Sequence, residues 1–257
     1  MNILAPVEAE TVPPVPLLYS ADGKRMVPPA ASFSSMLDPE SGRESLSQRA
    51  YSQIRRSLTS SALRPGHRLI LRPLAITLKL SPTPVREALL RLVSEQALAL
   101  DERGSAIVPV MTAAGFRELS ELRGDLEARA AERAVELATD AQLDELERIN
   151  ARCMAAYANN EHMAMLEANA IFHRAVCKAG QAPIILRTLE GLWMRLGPVY
   201  ALSFDRPLPS IGAGGHPHGQ LIDALRRRSV HDARAAAVLD VGESNKLLGS
   251  DLTASPR

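Results

Sequence analysis

The chain has 257 residues, enough for one large or two small domains, and its 46% hydrophobic and 23% charged content excludes an intrinsically disordered protein. Aromatics are only 4%, so the core must be aliphatic, which favours helices over β-sandwiches. Thirty basic residues against 29 acidic ones leave a net charge of +1, so bulk charge names no partner, and two cysteines exclude a disulfide framework. No stretch of about 18 uncharged apolar residues reads as a membrane span. The N-terminus has no basic region followed by an apolar run, so a soluble cytoplasmic protein is expected.

Residues 1–43 scatter Pro, Ser and Gly without a period and read as a flexible tail, in which a piece such as Val15–Tyr19 could dock. Leu46, Ala50, Ile54 and Leu58 mark a first helix. Pro65-Gly66 is a turn, and a short second helix is expected around Arg72–Leu78. A third helix is expected from Pro84, with Thr83 as N-cap, to about Gln96, burying Val85, Leu89, Leu92 and Val93. The run 98–110 alternates around Arg103-Gly104 as a β-hairpin. From residue 113 on, helical windows follow at about 113–138, 141–158, 163–178, 183–196, 217–228 and 231–247, with a Pro/Gly-rich loop near 203–216.

Net charge hides an asymmetry. Between residues 45 and 110 ten basic residues face four acids, Glu87, Glu95, Asp101 and Glu102, giving about +6. Three helices plus a hairpin make a winged helix-turn-helix, whose third helix enters the major groove of double-stranded DNA. Its solvent face would carry Thr83, Arg86 and Glu87, and Arg86 suits a bidentate pair to guanine. If Arg55 contacts only phosphate, its replacement should weaken binding to all sequences about equally and lower the salt slope by about one.

The run from Leu63 to Val108 resembles the DNA-binding domain of GntR-type bacterial transcription regulators. The marks are Pro65-Gly66, Leu69, Arg72, Leu74-Ala75, Leu78, Ser81, the TPVREAL stretch Thr83–Leu89, Leu92 and Gly104. The resemblance implies DNA contacts from Arg72, Ser81, Thr83 and Arg86, with Arg103 and Gly104 in the wing. Two departures stand out: Pro82 where the family often has Arg, and Lys79 where it often has Gly. A left-handed Lys79 would cost about 1 kcal/mol.

Residues 113–248 resemble the FCD ligand-binding domain of the FadR subfamily, through Glu121–Ala134, Asn169–Gly180, Leu189–Pro198 and His218–Arg228. That resemblance implies a mainly α protein: a flexible tail (1–43), a winged helix-turn-helix (44–111), an all-α effector-binding and dimerisation bundle (112–250) and a short tail (251–257). It also implies a cavity for a small organic acid beside a divalent metal (Zn, Ni, Mn or Fe). Asn169 and His173 share one helix face, His218 opens a later helix, and Asp240 lies on the last; together they suit such a metal. Asn169 is the weakest donor of the four, and His173 as a satisfied core histidine is the alternative. His216 could substitute as a ligand but suits a helix start with Pro217 better, and Cys177 suits a buried structural role. Arg123 could pair with an effector carboxylate or form an interhelix ion pair. Trp193 and Tyr200 wall the cavity or pack the core, while His67, His162 and His231 are expected to be exposed.

The expected function is a ligand-responsive homodimeric repressor, not an enzyme, reading an inverted repeat and sensing a small carboxylate. A metalloenzyme using the His/His/Asp set and a regulator with a metal-free effector domain are the alternatives. No GxSxG, P-loop or strand-linked GxGxxG is present, and GAGG at 212–215 follows no strand.

Overall fold

The computed structural model describes residues 45–205, 207–208 and 215–246; the two expected tails and most of the GAGG run lie outside them. Helix α1 (Leu46–Thr59) starts at Ser45, whose hydroxyl accepts from the Gln48 N–H, and buries Ala50, Tyr51, Ile54 and Leu58. Strand β1 (Arg68–Leu69), α2 (Leu71–Leu78), α3 (Pro82–Ser94), β2 (Ala99–Leu100) and β3 (Ala106–Ile107) complete the winged helix. Its three-stranded sheet has the order β1-β3-β2, antiparallel throughout, with Arg68 opposite Ile107 and Leu100 opposite Ala106.

Three local expectations are corrected. Helix α3 begins at Pro82, not Pro84, so the N-cap residue is Ser81 rather than Thr83, though the Ser81 hydroxyl makes no capping bond. Either proline tolerates a first helical turn, and the earlier one takes it. The wing gains β1, which at two residues is too short to show a period. His67, expected exposed, is 7% exposed, because its carbonyl accepts from Val108 N–H and the turn folds under the sheet. Lys79 does adopt the left-handed conformation, at φ 54°, ψ 42°, closing α2.

The second half is helical: α4 (Ala113–Leu137), α5 (Asp140–Ala158), α6 (His162–Ala179), α7 (Pro183–Tyr200), a 3-10 turn at Ala201–Asp205, α8 (Pro217–Arg226) and α9 (Val230–Lys246). Thr139 and Gln142 form a reciprocal capping box at the start of α5. The core is built on small and aliphatic side chains, among them Ala128, Ala131, Leu146, Leu221 and Leu225, around the aromatic ring of Phe172. Helix α7 continues through Pro198, past its expected end near 196. Proline this late forfeits one helical hydrogen bond, and burial of Val199 and Tyr200 against Phe116 and Leu119 outweighs that loss.

The two halves share α7. Met194 is buried in the winged-helix core with Ile54, Leu58 and Leu92, while Trp193, its neighbour, faces the other way into a cluster with Ala130, Cys177 and Leu189. Among the described residues no helix is long and apolar enough to cross a membrane.

Candidate functional site

Burial of Val85, Ala88, Leu89 and Leu92 turns the opposite face of α3 to solvent. Ser81, Thr83 and Arg86 are exposed at its start, as is Arg72 on α2. At the wing tip Asp101 Oδ1 accepts from the backbone N–H groups of Arg103 and Ser105, each at 2.9 Å. Gly104 there has φ +73°, a conformation that favours glycine. Not every cation of the module faces outward in this way. Arg55 turns to α7 and bridges Glu190 at 3.1 Å, so it is not a free cation on the DNA-facing side. Arg91 lies 3.7 Å over the Tyr51 ring and bridges Glu95.

The second constellation lies inside the bundle. His173 on α6, His218 on α8 and Asp240 on α9 each point one ligand-type atom at a common centre, all within 4.8 Å of one another. His173 Nε2 stands 3.1 Å from Asp240 Oδ2, and His218 Nε2 stands 3.5 Å from Asp240 Oδ1. The turn before α8 aims His218: the His216 ring nitrogen accepts from His218 N–H, Pro217 opens the helix, and the Phe172 ring stacks on the His218 ring at 3.8 Å. Asn169, one turn before His173, lines the same cavity.

Glu127 organises the inner side of this group. Its Oε1 accepts from Arg123 Nε at 2.8 Å and from the Trp193 indole at 3.0 Å. Its Oε2 lies 3.1 Å from His173 Nδ1, which places the ring proton on Nδ1 and leaves the Nε2 lone pair facing Asp240. Arg123 is 2% exposed, donates to the Tyr200 hydroxyl at 3.1 Å and stands 3.9 Å from Asp240. The main ion pair of Arg123 is thus buried within α4, with Glu127 as its partner, rather than on the surface or between helices as expected. Sequence reasoning missed Glu127, because an Arg and a Glu four apart on a helix look like a surface pair.

Two observations bear on a metal. Both ring nitrogens of His218, and Asp240 Oδ2, are buried with no hydrogen-bond partner among the described residues, a state native interiors avoid. The nitrogen-to-oxygen separations of 3.1 and 3.5 Å suit neighbouring ligands with metal bonds of about 2.1 Å, which place them roughly 3.0–3.4 Å apart. The donor set thus fits a divalent ion.

Burial opposes the charge on Asp240, yet His218, His173 and Arg123 outweigh it and hold the carboxyl well below its usual range. Burial drives the His218 pKa well below its ordinary value and also lowers His216 and His67. Cys153 and Cys177 are pushed up to about 12 by burial and nearby carboxylates, so both are inert thiols. A histidine kept neutral in the fold but free to protonate when unfolded makes the unfolded chain bind more protons below about pH 6.5. Stability of the metal-free protein is therefore full above pH 7 and falls as the pH drops through 6.5 towards 5. His218 alone contributes up to about 1.4 kcal/mol per pH unit, and loss of the Asp240 contribution follows below about pH 4. Urea denaturation between pH 8 and 4.5 checks this; a flat profile would contradict it.

Arg123, Asn169, His173, His216 and Asp240 line a cavity of about 440 Å³, walled by Trp193, Met165, Leu196 and Tyr200 and bordered by Gln220 and Lys246, with His218 buried behind them. That volume suits a small metabolite. Trp193 and Tyr200 thus both wall the cavity and pack the core.

Comparison with known proteins places this architecture. Residues 46–108 match the bacterial regulatory proteins of the gntR family, and residues 118–240 match the FCD domain. The HTH-type transcriptional regulator McbR of Escherichia coli K12 is 35% identical over 154 residues, covering 60% of this chain and 70% of that protein. The chain belongs to the GntR family of bacterial regulators, with an FCD domain. The regulator is also similar to the transcriptional repressor RspR of E. coli K12, at 24% identity over 64% of this chain and 72% of that one. The structure of E. coli McbR/YncC superposes with a TM-score of 0.74 at 28% identity, covering 81% of this chain and 99% of that one. A GntR regulator from Rhodococcus sp. RHA1 shares the fold at a TM-score of 0.62 and 20% identity, over 82% and 99% of the two chains. The regulator is thus a DNA-binding transcription factor.

Proposed function

We propose that the regulator is a repressor whose operator affinity is set by a small carboxylate bound in the FCD cavity beside a divalent metal. The carrying observation is the convergence of His173, His218 and Asp240, two of which line that cavity, with the His218 nitrogens unsatisfied. Asn169 would complete the ligand set. The metal would supply a Lewis-acidic anchor for the effector carboxylate. Arg123, Glu127 and Asp240 together carry one net negative charge, and an imidazole must be neutral to hold a metal. A divalent cation turns that to one positive, and one effector carboxylate at the metal neutralises it, which a buried site favours. Trp193 and Arg123 line the effector's side of the cavity.

On the DNA side, Arg72, Ser81, Thr83 and Arg86, with Arg103 and Gly104 at the wing, are proposed to contact the operator. One winged helix covers one half-site, so a homodimer reading an inverted repeat follows, working in the cytoplasm where the chromosome lies. The relatives matched are named as regulators, and no catalytic role is proposed.

A metal-free effector domain is a second reading, and one observation favours it: the Arg123 guanidinium stands 3.4 Å from His173 Nε2, where it already engages the lone pair. Elemental analysis of protein purified without chelator separates the two. The metal reading expects about one ion per chain, and a melting temperature that chelator lowers by roughly 5–10 °C. His173→Ala should remove that shift and the effector response while leaving DNA binding measurable. No metal, and no shift with added Zn or Ni, would sink it while the regulator assignment stands.

A further inference from the structure

The cavity that ends on His173 and Asp240 is not walled by the FCD bundle alone. Thr59, the last residue of α1, and Ser61, two residues further, line it beside Gly197, and both belong to the winged-helix half of the chain. This wall is firmly seated. The Leu58 carbonyl lies against the bare Cα of Gly197, where a Cβ would stand 2.1 Å from the oxygen. Along the same face of α7, Met194 plugs the winged-helix core and Glu190 bridges Arg55.

Ser61 itself is 1% exposed, and its hydroxyl has no hydrogen-bond partner among the described residues. A buried hydroxyl without a partner, on a residue that borders a cavity, is a group awaiting one. Its neighbour Ser60 is as buried and as unpartnered but does not line the cavity, which supplies an internal control.

We propose that Ser61 is a ligand contact contributed by the DNA-binding half. The effector is then a bifunctional organic acid: one carboxylate sits at the His173/Asp240 end, and a distal hydroxyl or second carboxylate hydrogen-bonds Ser61. This rests on the reading of the cavity as the effector site. Since Ser61 follows α1 directly, such a ligand ties the placement of the winged helix to cavity occupancy without an intermediary. Reciprocity then requires operator DNA to change effector affinity by the same factor.

Trp193, the only tryptophan of the chain, lines the cavity, so its fluorescence reports occupancy. Full-length protein loaded with Zn is titrated with a panel of straight-chain monocarboxylates, their ω-hydroxy analogues and dicarboxylates of two to six carbons. The variants are Ser61→Gly, which suits the left-handed backbone at φ 61°, and Ser60→Ala. The expected result is that wild type prefers the bifunctional acids by about tenfold, that Ser61→Gly erases this preference without loss of melting temperature, and that Ser60→Ala keeps it. A preference that survives in Ser61→Gly, or one absent from wild type that still binds monocarboxylates, overturns the inference and leaves the effector site standing. If no acid in the panel perturbs Trp193, and His173→Ala behaves as wild type, the effector reading fails and takes this inference with it.

Discussion

Gly197→Ala is expected to lower the melting temperature by roughly 5–10 °C and to decouple operator binding from the effector. The added methyl would lie 2.1 Å from Leu58 O, 3.1 Å from Leu58 C and 3.2 Å from Thr59 C. All three are backbone atoms, so no side chain can swing aside, and α1 itself must move. Because Ile54 and Leu58 of α1 are fully buried, that movement also unseats Met194 from the winged-helix core. Overpacking of this kind costs about 1–3 kcal/mol, and the two halves lose their register. Gly191→Ala is the control on the same helix: nothing lies within 4 Å of its added Cβ, so the better helix propensity should stabilise by about 0.5–1 kcal/mol. Thermal melting of the pair decides the matter; equal curves would refute the close approach.

Arg86→Ala is expected to remove operator discrimination while leaving the fold intact. Arg86 is exposed on α3 and engages no acidic side chain among the described residues, so its loss carries no folding penalty. A bidentate pair to guanine is worth about 1–3 kcal/mol. Doubled across the two half-sites of a dimer, this gives a loss of specific affinity between about 30-fold and 10⁴-fold, with non-specific binding nearly unchanged. Arg55→Ala makes the instructive contrast. Its partner is Glu190, so the salt dependence of DNA binding should stay the same and the effector response should change. Gel shifts on operator and random DNA at two salt concentrations read both; a weakened salt slope in Arg55→Ala would contradict the geometry.

Most of the FCD helices are legible in the sequence because they carry a 3.6-residue stripe, and α4 and α5 carry the cap residues Thr112 and Thr139; α9 is the weakest, with Val238 and Leu239 left exposed. Strand β1 is not, since its two residues follow a turn alone, whereas β2 and β3 lie in the longer alternating run 98–110. The meeting of His173, His218 and Asp240 is legible only through the family spacing, for nothing local says that α6, α8 and α9 converge. Arg55 misleads for the same reason: a basic residue on a solvent stripe of α1 looks free until α7 covers it. Ser61 lies in a turn, where no periodicity speaks, and its burial follows from a helix that begins more than a hundred residues later.

Met194 has a consequence for how the chain is made. The winged helix closes its core with a side chain that leaves the ribosome only after β3 and three further helices have been synthesised. At about 5–20 residues per second, that delay is on the order of ten seconds. During this interval the DNA-reading half exists without the residue that completes it. Nascent chains arrested before α7 should therefore hold a looser, more protease-sensitive winged helix than finished ones, so that competence to bind DNA arrives together with the means of controlling it.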